Sequence, residues 1–172
     1  MKYGKYEIKN VKTADLYFSL DLYVDGQKFA AVSNDGRGGC HRTHAYPPFT
    51  WKDIERVEAE MAEDEFLVDS EFEKFDSAVD TLIGLRDAAK HIARSTKNKA
   101  VFILDGQLNS IGYKDKKLPA DQNLLDTVTQ RHPGALILNT MEPLAAAIEY
   151  VKLSRAEIEA EMTAAASPSL KV

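Results

Sequence analysis

The nine residues from Leu16 to Val24 constrain this chain more than any others. Leu16, Phe18, Leu20, Leu22 and Val24 alternate with Tyr17, Ser19, Asp21 and Tyr23, the period of a strand with one wet and one dry face. Asp25-Gly26 follows at once, a pair suited to the positive φ angles of a two-residue type I′ turn. A return strand from Gln27 is therefore predicted. A two-residue loop sets Leu22 opposite Phe29 and Leu20 opposite Ala31, so apolar side chains meet on one face.

The rest of the chain arranges itself around that hairpin. Residues 6–12 read as an edge strand before it. After Pro47-Pro48, Thr50 is a helix N-cap with Asp53 completing a capping box, and Ile54, Val57 and Met61 form a narrow apolar stripe. Glu63-Asp64-Glu65 breaks this helix. A longer one is predicted over about 71–96, with Phe75, Val79, Leu82, Ile83 and Ile92 buried. Acidic residues crowd its start and Lys90, Arg94 and Lys97 its end, the polarity that suits a helix dipole.

Residues 100–104 are a short apolar run, read as a buried strand that returns through Asp105-Gly106 to residues 108–113. Lys114-Asp115-Lys116-Lys117 is a charged loop. Pro119 opens a helix with Leu124, Leu125 and Val128 inward, and His132-Pro133-Gly134 stops it. Residues 135–138 are a central-strand candidate. Pro143 starts a helix with Leu144, Ala147, Ile148 and Val151 on one side. Ser154 and Glu157 either cap a further helix or lie within the same one to about Met162.

The order β-β-β-α-α-β-β-α-β-α predicts an α+β (mixed α/β) fold. An antiparallel three-stranded meander comes first, and a second hairpin and a β-α-β-α half follow, with helices mainly on one face and at least one crossover unit. The 172 residues suit a single domain. Two lobes are the variant: 1–65, a meander plus helix, and 66–163, with 164–172 as a flexible tail.

Charge narrows the possible partners. Residues 52–76 hold eleven acidic and three basic residues, whereas the whole chain has a net charge of −5. Broad nucleic-acid binding needs a basic face, so it is not expected, while a basic protein partner is easily accommodated. No apolar run approaches the roughly 20 residues that cross a bilayer, and residues 1–7 lack the apolar core of a secretory leader. A single cysteine cannot form an internal disulfide. The cytoplasm is the expected compartment.

Between the hairpin and the first helix lies Asn34-Asp35-Gly36-Arg37-Gly38-Gly39-Cys40-His41-Arg42-Thr43-His44. It combines backbone freedom with reactive side chains, and three readings compete with a plain sharp turn. In the first, the amides at Gly36, Gly38 and Gly39 cradle an anion and Arg37 and Arg42 fork onto phosphate. Asn34 and Asp35 shape the pocket, and His41 or His44 meets a base or ribose. This is neither a Walker loop nor a dinucleotide fingerprint. In the second, Cys40, His41 and His44 bind zinc, but no second Cys/His pair completes the set, so no metal is expected. In the third, Cys40 is a nucleophile with His44 as its base. The remaining histidines, His91 and His132, fit structural places.

The segments 22–29 and 32–39, with Tyr23-Val24-Asp25-Gly26 and Asn34-Asp35-Gly36-Arg37-Gly38-Gly39, resemble small uncharacterised proteins of phages and prophages. The resemblance covers about a quarter of the chain and transfers no catalytic residue. It implies an accessory protein acting on host physiology or defence, in the host cytoplasm. The leading expectation is thus a binding protein, not an enzyme, that holds a phosphorylated nucleotide-like molecule through 34–44 and sequesters it, without a cofactor. The alternative is an acidic inhibitor that docks Glu55, Glu58 and Glu60 on a basic host protein that handles nucleic acid or serves defence. The third is a small enzyme using Cys40 and His44. Self-association is left open.

Overall fold

A computed structural model describes residues 1–115 and 118–166. Lys116 and Lys117 of the charged loop lie outside them, as does the expected tail beyond residue 166. The chain is α+β and forms two compact units, Met1–Arg86 and Asp87–Val172. Helix α2 (Lys74–Ser95) runs through the division between them.

The first unit is built on an antiparallel sheet, β1 (Lys2–Tyr3), β2 (Tyr6–Ala14), β3 (Tyr17–Val24), β4 (Gln27–Asn34) and β5 (Arg42–Ala45), paired in chain order. It therefore has five strands where the sequence suggests a three-stranded meander, and β2 is not an edge strand. The Asp25-Gly26 turn forms with φ of 49° and 79°.

Its register differs from expectation by one residue. Val24 faces Gln27 and Tyr23 faces Lys28, but a β-bulge then sets Leu22 opposite Ala30 and Leu20 opposite Val32. Strict alternation from Phe29 would bury Ser33 and expose Val32. The extra residue instead puts Phe29, Ala30 and Val32 all inside. Leu16 falls outside β3, in the turn after Asp15, and is 78% exposed.

On the outer face Asp21 is almost buried. It accepts hydrogen bonds from Asn10 Nδ2 (2.7 Å) and Tyr46 Oη (2.8 Å) and pairs with Lys28 Nζ (3.2 Å). Burial alone would raise its pKa, but these donors together with the Lys28 charge hold it below the usual carboxylate value. The cluster ties β2, β3 and β4 to the segment that leaves β5.

Helix α1 (Trp51–Met61) starts as the sequence suggests, with the backbone N–H and hydroxyl of Thr50 donating to Asp53 Oδ2 (2.8 and 2.9 Å). Ile54, Val57 and Met61 are buried in one core with Phe29, Leu22 and the first turns of α2, namely Phe75, Ala78, Val79 and Leu82. The connection between the helices belongs to this core too, because Leu67 is fully buried.

In the second unit, β6 (Lys99–Leu104) lies between β7 (Gln107–Gly112) and β8 (Leu136–Ile137). Its alternate residues enter two cores, Val101 with Ile92, Leu138 and Ala146, and Ala100 and Phe102 with Leu124 and Val128. Burial on both faces explains its unbroken apolar run. Helix α3 (Gln122–Arg131) starts after Asp121, whose carboxylate accepts the Leu124 amide, and not at Pro119.

Strand β8 is a two-residue edge, antiparallel to β6, so the expected central strand and crossover do not form. Asn139 accounts for its shortness. Its Oδ1 accepts from Val101 N–H, its Nδ2 donates to the carbonyls of Thr96 and Lys99, and a 3-10 turn over Leu138–Thr140 replaces further strand. Helix α4 (Pro143–Ala166) is continuous. Ser154 bonds back to the Tyr150 carbonyl and caps nothing. Among its described side chains Ala146 and Ala147 are the most buried, while Leu144, Ile148 and Val151 are half-buried.

Candidate functional site

The glycine-rich loop is folded on itself and pinned to α2. Asn34 Oδ1 accepts the Gly36 amide (2.8 Å), and Asn34 Nδ2 reaches the Gly39 carbonyl (3.2 Å) and His41 Nδ1 (3.1 Å). Asp35 takes the Arg37 amide through Oδ1 (3.2 Å) and Arg42 Nη2 through Oδ2 (2.9 Å). The loop's own side chains thus occupy the Gly36 amide, one of the three that the anion cradle would use, and the Arg37 amide beside it, and Arg42 is paired inside the loop. Gly36, at φ +73°, approaches the β2–β3 turn so closely that a Cβ would lie 2.8 Å from Leu16 Cβ. Arg37, Gly38, Gly39 and Cys40 are exposed. So is His44, which stands on β5 opposite Ala31.

His41 is the anchor. Its side chain is 7% exposed and packs edge-on against Phe18, with ring centroids 4.7 Å apart. Its backbone N–H donates to Asp76 Oδ2 (2.6 Å). In the neutral ring Asn34 Nδ2 donates to Nδ1 and the proton on Nε2 goes to Asp80 Oδ1 (3.0 Å), whereas in the charged ring Nδ1–H gives up the Asn34 bond and faces Asp76 Oδ2, 3.8 Å away. Burial pulls the imidazole pKa down. The hydrogen bond to Asp80 and the charges of Asp80, Asp76 and Glu73 outweigh it and raise the pKa above its ordinary value.

Folding therefore favours the protonated ring. Its contribution to stability is fully present below the unfolded pKa and is lost as pH rises through the raised folded one. The thermal midpoint of the wild type should fall more between about pH 6 and about pH 8 than that of His41→Gln. Parallel profiles for the two proteins would refute this role.

Beside the anchor lies a cleft of about 190 Å³. One wall is the loop and β5, presenting Cys40 and Thr43. Helix α1 gives a second wall, with Trp51, Ile54 and Glu58, and the start of α2 a third, with Glu73, Phe75 and Asp76. Trp51 is 62% exposed although it lines the cleft, and its indole N–H donates to Glu55 (3.1 Å).

Among the described residues, each cleft carboxylate is held through one oxygen. Glu58 accepts the Phe75 amide (3.4 Å), Glu73 the Cys40 thiol (2.9 Å) and Asp76 the His41 amide. Cys40 Sγ and one oxygen each of Glu73 and Asp76 lie within 4.8 Å of one another. These are donors close enough to share a cation, and they are not the Cys40, His41 and His44 set of the zinc reading. The hydrogen bond to Glu73 and the Glu73 charge push the Cys40 thiol pKa up, the opposite of what a nucleophile needs.

Of the three acidic residues assigned to partner binding, Glu58 alone lines the cleft. Glu55 serves Trp51, and Glu60 is held by Lys5 (2.6 Å) and Arg56 (2.9 Å). The sequence reading passes over Trp51 and Asp80, while Thr43 lies in its loop stretch and Glu73 and Asp76 in its acidic run without being singled out. Helical spacing carries part of the signal. Trp51, Ile54 and Glu58 fall at i, i+3 and i+7 on α1, and Glu73, Asp76 and Asp80 repeat that interval at the start of α2. Compared with known proteins, the chain matches no family model, no curated protein and no solved structure.

Proposed function

We propose that this protein is a binding protein whose acidic cleft docks a basic segment of a partner protein. The observation that carries this reading is the convergence of Glu58, Glu73 and Asp76 beside the exposed ring of Trp51 in one cleft. A lysine or arginine head entering there meets several negative charges at once, and the indole face attracts the same cation. Phe72, next to Glu73 in sequence and 78% exposed, adds an apolar anchor of the kind that protein interfaces use.

A phosphate would face these carboxylates, and the Gly36 and Arg37 amides already serve Asn34 and Asp35, so the anion reading has less support. The resemblance to phage and prophage proteins gives the proposal a context. The partner would be a basic host protein, and occupying its basic segment would inhibit it.

Trp51 is the chain's one tryptophan, so its emission reports the cleft directly. Titration with an acetylated, amidated Lys-Thr-Lys-Thr-Lys-Thr-Lys-Thr peptide at low salt is expected to shift that emission saturably, with affinity falling as salt rises. An equal response to the matching Glu-Thr peptide, or none to the lysine peptide, overturns the proposal.

A further inference from the structure

Strand β5 is the last strand of its sheet, so one of its sides has no neighbouring strand. It pairs with β4 through Ala30–Ala45, Ala31–His44, Val32–Thr43 and Ser33–Arg42, and the Tyr46 amide bonds the Phe29 carbonyl just beyond. In an antiparallel ladder, alternate residues direct both backbone groups to the same neighbour. Residues 42, 44 and 46 therefore serve β4, while 41, 43 and 45 point to the open side. His41 agrees, because its amide goes to Asp76 and not to β4. Among the described residues, the N–H and C=O groups of Thr43 and Ala45 are left facing outward with no protein partner.

Thr43 stands opposite the buried Val32 and lines the acidic cleft. A residue placed across the open edge from Thr43 would share its face, because side chains of directly opposed residues project to the same side of a sheet. Its side chain would then enter between Trp51 and the carboxylates of Glu73 and Asp76.

From this juxtaposition we infer that the basic partner binds as an added β-strand along β5, with a lysine or arginine opposite Thr43 reaching into the cleft. The inference rests on the cleft reading above and adds how the segment lies and which position carries the charge. Backbone pairing to Thr43 and Ala45 supplies orientation, and the carboxylates select the cationic side chain, the division of labour seen in strand addition. Asp76 already occupies the edge at His41, so the added strand starts from Thr43. The edge is short, and Arg42 and His44 at its exposed positions oppose unselective pairing with other strands.

The test uses the whole chain and the same Lys-Thr peptide. Amide exchange at Thr43 and Ala45 is expected to slow on binding, while exchange at His44, already bonded to β4, changes little. Ala45→Pro removes an outward N–H that β4 does not use. It is expected to weaken binding about tenfold, the worth of one such bond.

A second arm keeps the protein unaltered and N-methylates the peptide at its lysines or at its threonines. One alternate set is expected to abolish binding and the other to spare it. If both methylated peptides bind like the parent while Glu73→Gln still weakens the parent, the strand inference is overturned and the cleft reading stands. If the parent peptide never binds at low salt, the cleft reading falls and takes the inference with it.

Discussion

Exchanging Glu58 and Glu73 for Gln and Asp76 for Asn together is expected to weaken binding of the Lys-Thr peptide about 100-fold at low salt. Each carboxylate at this partly open site contributes about 1 kcal/mol to a cationic head, and about 3 kcal/mol corresponds to that factor. The amides preserve the protein's own contacts. Glu58→Gln still offers an oxygen to the Phe75 amide, and Asp76→Asn an oxygen to the His41 amide, so what the thermal midpoint loses is the stabilisation that the Glu73 and Asp76 charges give to protonated His41. Glu60→Gln is the matched control. That carboxylate is occupied by Lys5 and Arg56, so its loss should leave peptide affinity within about twofold, the scale of a rim charge. If the triple exchange binds as tightly as the wild type, the cation is being held elsewhere.

Phe29→Ala is expected to destabilise the first unit by about 3–5 kcal/mol, read by urea unfolding through Trp51 emission. Phe29 is 1% exposed and packs against Phe49 with ring centroids 5.0 Å apart, in the core shared with Ile54, Val57 and Leu82. A loss below about 1 kcal/mol would mean that Phe29 is not in the core.

These two experiments bear on parts of the molecule that the sequence disclosed to different degrees. The Asp25-Gly26 turn, the Thr50–Asp53 cap and the Ile54, Val57 and Met61 stripe are local signals, and each appears in the fold. The bulge is not local. Whether Val32 or Ser33 goes inside is decided by the α1 and α2 side chains that await it, and the alternation of β3 alone says nothing about them. Strand β8 fails for a similar reason. Residues 135–138 are apolar enough for a strand, but Asn139 captures the Val101 amide that an added strand residue would otherwise approach.

At the candidate site, the loop's composition drew attention to a segment that forms one wall of the cleft, but not to the carboxylates that face it from the helices. His41 is bound to residues 35 and 39 positions away, Asp76 and Asp80. The acidic run at 52–76 was visible, but its meeting with the loop depends on the tertiary fold.

The contact between Gly36 and the β2–β3 turn sets a rule for re-engineering this scaffold. Saturation mutagenesis at position 36 should return one residue, since any side chain there would collide with Leu16 and also suffer the backbone's handedness. A designer who transplants the segment into another sheet must therefore carry residues 15–17 along with it. The two turns form one graftable cassette, although some twenty positions separate them along the chain.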